Sequence, residues 1–108
     1  MDTQSRLALA ADKLECAELV ATMARSIDRR DAALLASLFH PDATDDHGLF
    51  SGTATEFVAW VMPLLATMKQ TQHVVGQSLI AVDGDRAVGE SYFIAHHTLA
   101  GPDCDLFM

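Results

Sequence analysis

The chain has 108 residues, half of them hydrophobic, with seven Lys and Arg against fifteen Asp and Glu and a formal net charge of -8. That bounds it to a single domain, residues 1-108, with enough apolar content for a packed core. The acidic balance excludes nucleic acid and anionic membrane surfaces as partners, because both need basic patches.

No apolar run approaches the roughly 20 residues of a membrane span, and the N-terminus lacks a signal-peptide pattern. A cytoplasmic protein is expected. Cys16 and Cys104 make no disulfide framework and lack zinc spacing. Cys16 reads as a small buried hydrophobe.

Residues 1-11 read as a mobile lead-in. Asp12 and Glu15 resemble a capping box that opens the first helix. Apolar residues then recur at Cys16, Leu19, Val20, Met23 and Ile27. Beside them runs a row of small residues, Ala17, Ala21 and Ala24, which Asp28 continues. Such a row leaves room on the inner face, and the carboxylate stands at its end.

Asp31 can cap a short second helix through Phe39, stopped before Pro41. Residues 42-52 read as loop plus one short strand. Thr53 and Glu56 form another capping box, opening a helix to about Met68. Its apolar residues cover much of its surface, so burial is expected, and Pro63 predicts a kink.

After Lys69 the pattern changes to strand. His73 to Val82 is rich in Val, Leu and Ile, Asp83-Gly84-Asp85 signals a hairpin, and Arg86 to Thr98 forms the return. Gly76 and Gly89 mark bulges or close packing. Gly101-Pro102 turns the chain into a strand beginning at Cys104. Helices followed by an antiparallel meander define an α+β fold. Two long strands and a fragment are few for three helices. The expectation is a domain truncated before its last strands or completed by a partner.

Hairpin geometry bears on the histidines. A two-residue Asp83-Gly84 loop pairs His73 with Ile94. It puts Gln77, Glu90, Tyr92 and His96 on the His73 face. A three-residue loop pairs His73 with Ala95 and puts His97 there instead. A bulge at Gly76 would change either assignment.

The candidate catalytic pair is Asp28 and His73. Brought together, the carboxylate orients the imidazole, which moves protons near neutral pH. Asp45-Asp46-His47 with His40 offers donor types for a divalent ion, but the spacing matches no standard site, so no metal ligands are assigned. Asp46 and His47 are placed at a pocket mouth. Met23, Phe57, Trp60 and Val75 are core residues that can also line an apolar pocket.

Several pieces together resemble the SnoaL-like branch of the nuclear-transport-factor-2-like superfamily. They are Ile27-Asp28-Arg29-Arg30-Asp31, Phe39-His40-Pro41-Asp42-Ala43, Phe50-Ser51-Gly52, Thr71-Gln72-His73, Val82-Asp83-Gly84-Asp85 with Ala87, and Glu90-Ser91-Tyr92. The resemblance covers about residues 10-100. It implies a cone: a curved sheet wrapped around three N-terminal helices, enclosing an apolar pocket. Polyketide cyclases, dehydratases, ketosteroid isomerases and small subunits of ring-hydroxylating dioxygenases share that fold. In the dehydratase-like members, an Asp and a His at the Asp28 and His73 positions form the proton-transfer pair. A Tyr commonly sits five residues before that Asp; here the position is Met23, which cannot donate a proton. Tyr92, His96, His47 and Asp46 are the candidates for the missing acid or for pocket polar groups.

The resemblance implies a lyase or isomerase of the dehydratase or cyclase type. It would need no cofactor and would act on a small apolar carbonyl compound. The competing reading is a non-catalytic ligand-binding or assembly module, like the dioxygenase small subunit. Either reading implies a homodimer through the sheet.

Overall fold

The computed structural model describes residues 1-101 and, as backbone, 105-107. The elements run α1 (Thr3–Asp28), α2 (Ala32–Ser37), β1 (Thr44–Asp46), β2 (Ser51–Thr53), α3 (Ala54–Ala66), β3 (Met68–Asp83), β4 (Arg86–Leu99) and β5 (Asp105–Phe107). Cys104, at the start of the expected third strand, lies outside the described residues. Among the described residues, no helix is long and apolar enough to cross a membrane.

The first helix begins well before Asp12. Asp2 is its N-cap, accepting a hydrogen bond from the Ser5 N–H at 2.7 Å. Residues 3-11 therefore belong to the helix rather than to a mobile lead-in. The reason is local: Thr3 to Ala11 holds no Gly or Pro, and its Leu, Ala and Arg favour helix. Asp12 and Glu15 are mid-helix and cap nothing. Cys16 is only half-buried, since this half of α1 is largely solvent-exposed.

At its C-terminus α1 closes with a Schellman motif. The Arg30 N–H donates to the Ile27 carbonyl at 3.1 Å, and the Asp31 N–H to the Ser26 carbonyl at 2.8 Å. Arg30 occupies the left-handed position, φ 54°, where glycine is usual. Its guanidinium donates to the Met68 carbonyl, joining the helix end to the start of β3. Arg30 is thus exposed yet tied down at its tip.

Two caps form as expected. Asp31 accepts from the Leu34 N–H, and Thr53 and Glu56 close a reciprocal capping box at α3. The 42-52 segment holds two short strands rather than one: β1 and β2 pair antiparallel, Asp45 opposite Gly52. Ile27, Leu35, Phe57, Val61 and Leu65 form the core, with Met23, Phe50 and Trp60 among the residues packed against it.

The larger sheet has the order β3-β4-β5, antiparallel throughout. Its loop is Gly84-Asp85, one residue later than Asp83-Gly84, because Asp83 pairs Arg86. Gly84 takes φ 61° there. The register then slips between Val75 and Ser78. Gly76 and Gln77 oppose the single residue Tyr92, a β-bulge. A Cβ on Gly76 would sit 3.3 Å from the Tyr92 carbonyl oxygen.

On the side of the bulge away from the turn, His73 pairs Ala95 and Thr71 pairs His97. Thr71, His73, Val75, Ser78, Ile80 and Val82 turn inward and are half-buried. Val74, Leu79, Val88, Tyr92 and Ile94 turn outward and are more than half exposed.

Phe57 is fully buried and touches the rings of Phe39, Phe50, Trp60 and His47. Phe57→Ala is expected to destabilise the domain by about 3–5 kcal/mol, measured by urea unfolding.

Candidate active site

The site is built where the end of α1 meets the start of β3. Asp28 is the last residue of α1, half-buried, and three groups of β3 donate to its carboxylate. Thr71 Oγ1 donates to Oδ1 at 3.0 Å, the His73 backbone N–H to Oδ2 at 2.8 Å, and His73 Nδ1 to Oδ1 at 2.7 Å. A carboxylate only accepts, so Nδ1 carries the proton and Nε2 of the neutral ring keeps its lone pair. Asp28 thereby selects the tautomer in which His73 can act as a base. Both side chains are mostly shielded, 20% and 16% exposed.

His73 opens onto a cavity of about 290 Å³. Val20, Met23, Ala24 and Ile27 of α1 form one wall, and Val75, Ser91 and Phe93 of the sheet another. His47, on the β1–β2 connection, completes it. Ala24 belongs to the small-residue row, which does leave room here. A shallower groove of about 650 Å³ lies between Lys13 and Leu14 of α1 and the far end of the hairpin. No imidazole is among its lining residues, whereas His47 and His73 line the smaller cavity.

Not every sequence candidate reaches it. Met23 and Val75 line the cavity. Phe57 lies in the core and Trp60 packs against it instead, because α3 sits against α2, the β1–β2 hairpin and β3. Asp46 is exposed and accepts from the Gly48 N–H at 3.0 Å, a turn contact. Tyr92 is 59% exposed on the outer face, opposite the bulge. His96 pairs Gln72, also on the outer face. Gln77 and Glu90 are exposed as well. The cause of these last displacements is the Gly76 bulge, whose extra residue turns the His73 face over relative to these positions; the later loop alone would have kept them on it.

His97 takes the inward place. It is 6% exposed, and its ring meets the His73 ring edge-on at 5.5 Å. Burial lowers the His97 pKa below its ordinary value, and the neighbouring His73 pushes the same way. His97 is therefore a neutral wall beside the His73 ring.

Three participants were not assigned a role from sequence: Thr71, Ser91 and Asp45. Ser91 shares a 2.7 Å hydrogen bond with Ser78. Asp45 accepts from His47 Nδ1, and the His47 ring stacks on Phe57 at 4.5 Å. The spacing of Asp45 and His47 was the available signal, since residues two apart share a face of a strand. Asp45 and His47 engage each other rather than His40. Among the described residues, no group of three or more His, Cys, Asp or Glu is placed to hold a metal ion.

This cone of helices and curved antiparallel sheet, with its inward cavity, is the architecture of nuclear-transport-factor-2-like domains. The SnoaL-like domain family matches residues 8–107, and the chain belongs to it. Among solved structures it resembles a candidate scytalone dehydratase from Novosphingobium aromaticivorans, with TM-score 0.83 and 16% identity, covering 99% of this chain and 72% of that one. Kfla4162 protein from Kribbella flavida gives 0.80 and 20%, covering 92% and 75%. ActVI-ORFA from Streptomyces coelicolor gives 0.69 and 20%, covering 89% and 76%. Identities this low establish a shared fold. No curated protein sequence matches significantly.

The depressed His97 pKa has a consequence for stability. The unfolded chain binds a proton at His97 near pH 6.5, while the folded chain does not until lower pH. Stability from this group is complete above that value and falls as pH drops below it. Thermal melts from pH about 7.5 to about 5 are expected to show this loss, and His97→Gln to reduce it.

Proposed function

We propose that this chain is a cofactor-independent acid–base enzyme that removes a proton next to the carbonyl of a small apolar compound. The observation that carries the reading is the 2.7 Å contact of Asp28 with His73 Nδ1 at the edge of an otherwise largely apolar cavity. Asp28 holds the tautomer and stabilises the imidazolium formed when Nε2 takes the proton, as carboxylates do for catalytic histidines. His97 stays neutral behind it, so the new positive charge meets no second cation there. The Ser91 hydroxyl, on the sheet wall of the cavity, is a donor for the oxygen on which negative charge develops. Isomerisation, ring closure or elimination would follow according to the substrate. The structural relative named as a candidate scytalone dehydratase supports a lyase of this kind.

A second reading rests on the outer sheet face. Val74, Tyr92 and Ile94 are exposed together on one side of the hairpin. An apolar face of this kind fits a homodimer, and an assembly module would use it without chemistry. The two readings are separable.

The test is deuterium exchange from deuterated buffer into benzylacetone, an apolar enolisable ketone. The native chain is expected to accelerate exchange, His73→Ala to return it to background, and Asp28→Asn to slow it about a hundredfold or more. Exchange that is absent, or indifferent to His73, would leave the assembly reading. Sedimentation equilibrium is expected to give a dimer that Ile94→Glu dissociates.

A further inference from the structure

With Met23 at the cavity wall, the base has no obvious acid partner. The fold removes two candidates: Tyr92 and His96 both face outward. His97 is inward, but burial opposes its protonation. Besides His73, one imidazole lines the cavity, His47, and it comes with a carboxylate of its own.

We propose that Asp45 and His47 form a second carboxylate–imidazole pair that serves as the general acid of the cavity, protonating a leaving hydroxyl, so that the substrate class is a β-hydroxy carbonyl compound. This rests on the reading of His73 as the base. The two pairs are built alike but sit in different solvent. Asp45 is 9% exposed and accepts from His47 Nδ1, while the His47 side chain is 43% exposed. The His47 ring reaches solvent, is held by a largely shielded carboxylate, and lies on the flat face of Phe57, 4.5 Å between ring centres, a geometry that favours positive charge over the ring. His73, by contrast, is 16% exposed and stands beside His97, with Nδ1 held by Asp28 and Nε2 left to accept. With Nδ1 held by Asp45, the proton delivered is the one on Nε2.

The elimination then balances. The C–H bond beside the carbonyl breaks and its proton goes to His73 Nε2. The electron pair forms the carbon–carbon double bond as the C–O bond of the neighbouring carbon breaks. The departing oxygen takes the Nε2 proton of His47 and leaves as water. His73 has gained a proton and His47 has lost one, and exchange with solvent resets both. His47 is a catalytic residue in this step, and Asp45 a positioning residue.

The experiment follows two reactions of the full chain: label exchange into benzylacetone, which has no leaving group, and dehydration of the benzaldehyde–acetone aldol to benzylideneacetone, read by ultraviolet absorbance. In His47→Gln, shown folded by circular dichroism, the ratio of dehydration to exchange is expected to fall about tenfold or more. In Asp45→Asn the ratio falls in the same direction, through kcat rather than KM. Added imidazole is expected to restore dehydration to His47→Ala, which a purely structural role would not allow. His73-dependent exchange with no dehydration above buffer, or with an unchanged ratio in His47→Gln, overturns this inference and leaves the base assignment standing. Exchange that is absent or independent of His73 overturns both.

Discussion

The Asp28 carboxylate is the joint on which the molecule turns. It lies at the end of a 26-residue helix and accepts hydrogen bonds from Thr71, from the His73 backbone and from the His73 ring. Shielding a carboxylate from water is costly unless its oxygens are satisfied, and here they are. The Schellman closure sets the direction of the chain leaving Asp28, and Arg30 ties the same corner to Met68. Helix and sheet are thus locked together at the residue that also orients the His73 imidazole. Binding the two layers and preparing the imidazole are one interaction.

The Gly76 bulge is the second determinant. Without the extra residue on β3, the pairing set at the Gly84 turn would carry through unchanged, and His73 would face a different neighbour. The slip aligns His73 with Ala95 and puts His97 and Phe93 beside it. A small residue opposite the imidazole and a neutral one next to it leave His73 space on the cavity side. The same slip sends Tyr92 and His96 to the outer face. One glycine whose Cβ would crowd the Tyr92 carbonyl therefore decides which polar groups the cavity contains.

The cavity joins two parts of the chain that fold by different rules. Its floor is the long helix and hairpin. Its rim is the small β1–β2 hairpin, held by α3 through Phe57, whose ring supports His47 on one side and Phe39 and Phe50 elsewhere. His73 on the sheet and the more solvated His47 on the rim are two like groups in unlike environments. Divergent environments are the physical means by which one side-chain type is divided between basic and acidic work.

What the sequence determined by itself was local. The caps at Asp31 and Thr53 were legible because they are bonds between residues three apart, written within one turn of chain. The same reasoning misread Asp12 and Glu15, since a capping pattern inside an already favourable helical run has no free N–H groups to satisfy. The Asp28 and His73 candidates were legible as residue types at a helix end and a strand start. Their contact was not, because it spans 45 positions. Tertiary structure alone decided the register that exchanges His96 for His97, the burial that keeps His97 neutral, and the approach of His47 to the cavity. Each depends on a distance between segments remote in sequence, and the closing of such distances is set by the packing of the whole core.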